Sequence, residues 1–142
     1  MSIARPAERN WISNRTAVLV ALVGLALTVA AAVLLDHDVF VEISAVVVAM
    51  VYGVYFGFAI KGGSPRDLAV ESGFIGIGLT TAVLALHYGA FWLAIGLALH
   101  GVWDVLHHPD RAVVGTQGVP GWYIPFCAVY DFSAAIAILL IL

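Results

Sequence analysis

The stretch TAVLVALVGLALTVAAAVLL, residues 16–35, contains no ionisable side chain. An α-helix rises 1.5 Å per residue, so a run of this length crosses a hydrocarbon layer about 30 Å thick. This stretch therefore predicts a transmembrane helix.

The composition of the whole chain agrees with that prediction. Of 142 residues, 63% are hydrophobic and 11% are charged, and the mean hydropathy is +1.04. A soluble domain carries roughly a quarter charged residues because water must wet its surface. We therefore expect an integral membrane protein.

Charge and cysteine content exclude two classes of function. The net charge of −3 comes from nine acidic and six basic residues, which is too sparse and mixed for a surface that follows nucleic-acid phosphates. No nucleic acid is expected as a partner. Cys127 is the single cysteine, so an internal disulfide and a CxxC redox pair are both excluded.

Four more apolar stretches are long enough to cross a bilayer. The predicted fold class is therefore all-α, an integral membrane bundle of five transmembrane helices. Residues 1–15 are predicted to be a cytoplasmic N-terminal segment and residues 16–142 a single domain. The five predicted spans are 16–35, 40–60, 68–86, 90–108 and 123–142.

Basic residues predict the orientation of this bundle. Cytoplasmic loops of membrane proteins are enriched in Lys and Arg, and all the basic residues fall in alternate loops. This pattern places the N-terminus in the cytoplasm and the C-terminus outside, in a multi-pass protein of the cell inner membrane. The basic residues are Arg5, Arg9, Arg15, Lys61, Arg66 and Arg111.

The fourth predicted span carries four ionisable residues on one face. At 100° per residue, His100, Asp104, His107 and His108 fall within an arc of about 100°. An ionisable group at membrane depth costs several kcal/mol unless it is paired or hydrated. These residues therefore need a common explanation.

Neighbouring spans bring further polar groups to a similar depth. Glu71 lies about one turn inside the third span, and Asp131 lies roughly 13 Å from the cytoplasmic start of the fifth. Tyr130 precedes Asp131 on the same helix. Glu71, Asp131 and Tyr130 are the candidate catalytic residues.

The spacing is typical of metal ligands. Imidazole nitrogen and carboxylate oxygen suit zinc and iron, and residues one or two turns apart on a helix can reach one ion. His100, Asp104 and either His107 or His108 make a two-histidine, one-carboxylate set. Glu71 or Asp131 then serves as a further ligand, as a partner of a ligand, or as a base.

A plainer interpretation of the same residues stays open. Asp104 and the histidines could satisfy one another by hydrogen bonds, and His107 and His108 could mark a helix end, where imidazolium suits the macrodipole. At the opposite surface a second polar set is expected to be a solvated turn with loop residues. That set is Asp36, His37, Asp38, Glu42 and His87.

The decapeptide LHGVWDVLHH, residues 99–108, reads as LHxxWDxxHH and is followed by Pro125, Cys127 and Asp131. It resembles a family of small, uncharacterised bacterial membrane proteins defined as a domain of unknown function. The resemblance covers the C-terminal third well and the second and third spans loosely. It implies only that residues of the fourth and fifth spans occupy motif positions, namely His100, Trp103, Asp104, His107, His108 and Asp131.

Two functional hypotheses follow from the polar cluster. The first is a membrane-embedded enzyme that uses a divalent metal, zinc or iron, on a lipid-soluble substrate by hydrolase or oxygenase chemistry. The second is a non-enzymatic accessory subunit or oligomeric carrier that relays protons or a cation. Membrane lipid is the expected partner in both cases. Glycine pairs at 53/57 and 73/76 predict close helix packing within the subunit or between copies, so a homo-oligomer stays open.

Overall fold

The structure, a computed structural model, describes residues 13–108 and 118–142. In this part of the chain, α-helices joined by short turns make up the fold. No strand occurs in this part of the chain, so the predicted all-helical class is confirmed. Arg5, Arg9 and Arg111, which contribute to the predicted orientation, lie outside the described residues. The helices are α1 (Asn14–Leu34), α2 (His37–Tyr52), α3 (Val54–Gly62), α4 (Pro65–Tyr88), α5 (Phe91–Leu106) and α6 (Tyr123–Ile141).

Four of these helical segments are long and apolar enough to cross a membrane. They are α1, the continuous stretch His37–Gly62 made of α2 and α3, α4 and α6. Large apolar side chains are exposed along them, for example Leu27 and Met50, as expected for surfaces that face lipid. Helix α5 is also apolar but has only 16 residues. The number of spans and their orientation therefore stay predictions.

Local sequence signals explain where the helices begin and end. Ser13 caps α1 by accepting a hydrogen bond from the Thr16 amide. At α4, Ser64 and Asp67 form a reciprocal capping box, and Pro65 occupies the first turn, where its missing N–H costs nothing. These signals start α4 three residues before the predicted span. Gly89 ends α4 with φ +92°, a conformation that favours glycine.

Packing is uneven around the bundle. Helix α6 lies between α1 and α5, and α4 contacts α2, α3 and α5. Helix α1 lies along α6 and touches α2 at few places. An apolar core fills the space between α2, α4, α5 and α6, with members such as Val48, Leu93, Leu97 and Ala134.

Glycines allow the closest approaches inside this core. A Cβ at Gly78 would overlap the Tyr52 ring, and a Cβ at Gly96 would lie 2.8 Å from Thr81 Oγ1. The glycines singled out from sequence are not these: a Cβ at Gly57, Gly73 or Gly76 would meet nothing within 4 Å. The prediction of close packing within the subunit is therefore wrong for those three positions.

Candidate metal centre

Helices α5 and α6 bring one histidine and two aspartates together. His100 and Asp104 are one turn apart on α5, and Asp131 lies on the facing surface of α6. Their relative exposures are 0%, 0% and 1%. One ligand atom from each residue can be chosen so that all three lie within 4.8 Å of one another. This group, which we call the α5–α6 centre, fits a metal ion by residue type and by proximity.

The hydrogen bonds of the α5–α6 centre use only part of its polar atoms. His100 Nδ1 and Asp131 Oδ2 are 2.6 Å apart, so a proton lies between them. The Tyr55 hydroxyl of α3 donates to Asp104 Oδ1 at 2.7 Å. Asp104 Oδ2 is 3.6 Å from His100 Nδ1, beyond hydrogen-bond distance. The α5–α6 centre therefore contains two carboxylates for one imidazole.

Each residue of the α5–α6 centre keeps one buried atom without a hydrogen-bond partner. These atoms are His100 Nε2, Asp104 Oδ2 and Asp131 Oδ1, and within residues 13–108 and 118–142 no other buried side-chain nitrogen or oxygen lacks a partner. A buried polar atom without a partner costs about 1–3 kcal/mol, and more when it is charged. Three such atoms occur in one group of ligand-type residues that could hold a metal ion.

Aromatic rings enclose the α5–α6 centre on the side of α2, α3 and α4. The Tyr52 ring centroid lies 5.1 Å from that of His100, and the Tyr52 hydroxyl donates to the Gly96 carbonyl at 2.7 Å. Phe74 stacks on Tyr52 and on Trp103. These rings exclude water, so electrostatic interactions at the centre are stronger than in solution.

A second polar cluster lies beside this enclosure. Glu71 Oε1 is 2.8 Å from His107 Nε2, and Glu71 Oε2 accepts a hydrogen bond from Trp103 Nε1 at 3.1 Å. Both Glu71 and His107 are fully buried. The Tyr55 ring stacks on the His107 ring at 4.0 Å, so Tyr55 contacts both clusters. We call this group the Glu71–His107 pair.

The Glu71–His107 pair must hold a proton. His107 Nδ1 lies 2.9 Å from the Trp103 carbonyl, which can only accept, so Nδ1 carries a proton. A second proton must lie between Nε2 and the Glu71 carboxylate for a hydrogen bond to form there. The pair is either imidazolium with carboxylate or neutral imidazole with carboxylic acid, and in both states one proton lies between the two side chains.

The predicted site residues are thus divided between several positions. His100, Asp104 and Asp131 come together, whereas His107 pairs with Glu71. The side chain of His108 is exposed. The structure therefore favours one histidine and two carboxylates as ligands rather than two histidines and one carboxylate.

Tyr130 does not hydrogen bond to the α5–α6 centre. Its hydroxyl lies 2.8 Å from Thr28 Oγ1 of α1, so it joins α6 to α1. Its predicted catalytic role stays a prediction.

Two hydrogen-bond donors of the site were not predicted from the sequence. Tyr55 donates to Asp104, and Trp103 donates to Glu71. A signal for Trp103 was present, since it lies beside Asp104 within the decapeptide. Tyr55 comes from a separate aromatic segment, and nothing in its spacing relates it to α5.

An apolar groove runs between α1 and α2 and reaches Asp131. Its floor is α6, with Tyr123, Phe126, Tyr130 and Asp131 along the inner part. The inner part has a volume of about 380 Å³ and the outer part about 210 Å³. Leu27, Val47 and Tyr130 line both parts, so the groove is continuous. We call it the α1–α2 groove.

No protein family, curated protein or solved structure matches the chain. The resemblance carried by residues 99–108 therefore stays a prediction, and the functional argument rests on the geometry of the site.

The Glu71–His107 pair is expected to behave as a coupled unit. Removing one partner of a buried pair leaves the other unsatisfied, so Glu71→Ala and His107→Ala should each lower the free energy of unfolding by about 3–5 kcal/mol. The double variant should lose less than the sum of the single losses. Unfolding in mixed micelles measures this, with the exposed His87→Ala as control. Additive losses would show that the two side chains do not interact.

Proposed function

We propose that this protein is a membrane-embedded, metal-dependent enzyme that acts on a lipid-soluble substrate. A divalent ion, zinc or iron, is held by His100, Asp104 and Asp131. The observation that carries the proposal is the set of three unpartnered buried atoms, one on each of these residues.

Charge balance supports a divalent ion at this position. Two ionised aspartates with a neutral imidazole carry a charge of −2, which is expensive in surroundings of low dielectric. A divalent cation would cancel this charge, and an ion reached by all three residues would give their unpartnered atoms a partner. Ligands about 2.0–2.1 Å from a tetrahedral zinc lie about 3.3 Å from one another, so binding would draw the three side chains closer than the 4.8 Å within which one ligand atom of each now lies.

The surrounding residues have roles that suit such a centre. Tyr55 binds Asp104 Oδ1 and so fixes the carboxylate with Oδ2 left for the ion, as partners of ligands commonly do. Three protein ligands leave a coordination position for water or substrate. The ion supplies Lewis-acid chemistry, and the Glu71–His107 pair holds a proton on the other side of the Tyr55 ring.

The distribution of buried polar residues favours an enzyme over a relay across the membrane. In the part of the chain that the structure describes, the buried acids and histidines belong to the α5–α6 centre or to the Glu71–His107 pair. Further along the bundle, the Thr81 and Tyr52 hydroxyls are buried, and they bond to the backbone carbonyls of Gly78 and Gly96. A relay needs polar groups along its whole path. The α1–α2 groove instead gives a substrate sideways access from lipid.

The proposal includes the topology on which this access depends. All five predicted spans cross the inner membrane, with α5 as a short fifth span, the N-terminus in the cytoplasm and the C-terminus outside. The basic residues Arg15, Lys61 and Arg66 support this orientation because they lie at one end of α1, α3 and α4.

Metal content tests the centre directly. Protein purified in detergent should contain one zinc or iron per chain, and His100→Ala or Asp131→Asn should lose most of it. His108→Ala and His87→Ala should keep it, because neither side chain belongs to the α5–α6 centre. Mass spectrometry of the eluted metal gives the stoichiometry. Wild-type protein without a stoichiometric ion would refute the centre.

Lipid analysis tests the enzymatic part of the proposal. In cells without the endogenous chain, expression of the wild type should lower the amount of one lipid-soluble compound and raise another. Asp131→Asn should change neither, and His87→Ala should act like the wild type. Chromatography with mass spectrometry of total lipid extracts measures this. Identical extracts from wild-type and Asp131→Asn cells would argue for the non-enzymatic alternative.

Reporter fusions test the topology. An odd number of spans puts the two termini on opposite sides, so alkaline phosphatase fused after Leu142 should be active and a fluorescent protein at the same position should be dark. The same reporters at the N-terminus should behave oppositely. Equal behaviour at both ends would show that one of the five helices, α5 being the shortest, does not cross.

A further inference from the structure

We infer that the α1–α2 groove binds a single-chain amphiphile with an uncharged, hydroxyl-type head group, which places that head group at Asp131. This inference rests on the proposed function, since it names the substrate class of the same site. Three independent features support it: the lining of the groove, its opening, and the charges near Asp131.

The lining of the groove suits a hydrocarbon chain. Its walls are α1 and α2, and its inner part presents mostly apolar side chains, including Val20, Val23 and Val51. Among the described residues that line the groove, Asp131 carries the one carboxylate, and its Oδ1 is buried and has no hydrogen-bond partner. A ligand that matches both features must combine an apolar chain with a polar head.

The groove opens sideways between α1 and α2. Val23 and Leu27 on α1 are 60% and 67% exposed, and Val47 on α2 is 42% exposed. These side chains line the groove while contacting the surroundings of the bundle. Helices that face lipid would therefore admit a chain directly from the bilayer, without passage through water.

Helix α1 comes very close to the floor of the groove at Gly24. Gly24 faces Tyr130 so closely that a Cβ at position 24 would lie 3.3 Å from the ring. The Tyr130 hydroxyl bonds to Thr28, which fixes α1 over α6. Helix α1 is thus held mainly against α6 and touches α2 at few places, which leaves a gap between α1 and α2.

The charges near Asp131 determine which head group can bind there. Among the described residues that line the groove there is no Lys or Arg, so an anionic phosphate or carboxylate would find no basic partner. It would instead approach the carboxylates of Asp131 and Asp104. A hydroxyl group can donate a hydrogen bond to a carboxylate oxygen, whereas an ionised phosphate or carboxylate has no proton to donate.

Photolabelling tests this inference with a defined probe, hexadecanol that carries a diazirine in its chain. Purified wild-type protein in micelles should be labelled saturably on peptides from α1, α2 and α6. Val47→Trp, which fills the groove, should lower the labelling about tenfold or more, equivalent to about 1.4 kcal/mol of binding free energy. Labelling that is unchanged in Val47→Trp would overturn the inference.

Matched variants separate the groove from the general lipid-facing surface. Val46 adjoins Val47 on α2 and is 61% exposed but does not line the groove, so Val46→Trp should keep wild-type labelling. On α1, Val23→Trp should lower labelling whereas Leu22→Trp should not. A similar loss of labelling in Val46→Trp or Leu22→Trp would show that any bulky residue on the lipid-facing surface lowers labelling. That result would contradict the inference.

Competition and metal analysis complete the test. Unlabelled hexadecanol should displace the probe, and hexadecyl phosphate should not; equal displacement by both would overturn the choice of head group. Val47→Trp should keep the metal content of the wild type. If the wild type is labelled in the groove but contains no ion, the groove stands and the proposed metal centre fails.

Discussion

His100 is held between two carboxylates in a part of the bundle that water does not reach, and the rest of the site depends on this arrangement. The 2.6 Å contact with Asp131 joins α5 to α6, and the Tyr55 bond to Asp104 joins α5 to α3. One imidazole cannot neutralise two carboxylates and satisfy all of their oxygens. The proposed cation would account for the unpartnered atoms and the excess of acid together.

The sequence predicted the class of the fold because its signals are local. The apolar runs and their caps define each helix, as Ser64 and Asp67 do for α4. The polar face of α5 was predicted from the spacing of His100 and Asp104 alone, and the nearby depth of Asp131 followed from its position in its own run. These predictions need only helical periodicity and length.

Which side chains meet was not predictable in the same way. His107 lies on the same face of α5 as His100, yet it turns to Glu71 because α4 packs beside the end of α5. Tyr55 reaches Asp104 from α3, which continues from α2, and α2 is positioned by contacts far along the chain such as that of Tyr52 with Gly78. Helix packing determines which side chains meet across an interface, and this packing cannot be inferred directly from one sequence.

Uneven packing of α1 relates the fold to the proposed chemistry. A bundle in which α1 closed against α2 would bury Val47 and separate Asp131 from lipid. A hydrogen bond between Tyr130 and Thr28 holds α1 against α6. Because this contact places α1 over α6 rather than against α2, the α1–α2 groove stays open. The Glu71–His107 pair lies away from this opening, behind the Tyr55 ring, where its proton is shielded from lipid and bulk water.

X-ray absorption spectroscopy of the metal-loaded protein tests the central claim most directly, because it identifies the atoms bound to the ion. The account predicts a first shell of nitrogen and oxygen with multiple scattering from a single imidazole, which belongs to His100. A shell with two or more imidazoles, or with sulfur from Cys127, would contradict the one-histidine, two-carboxylate centre.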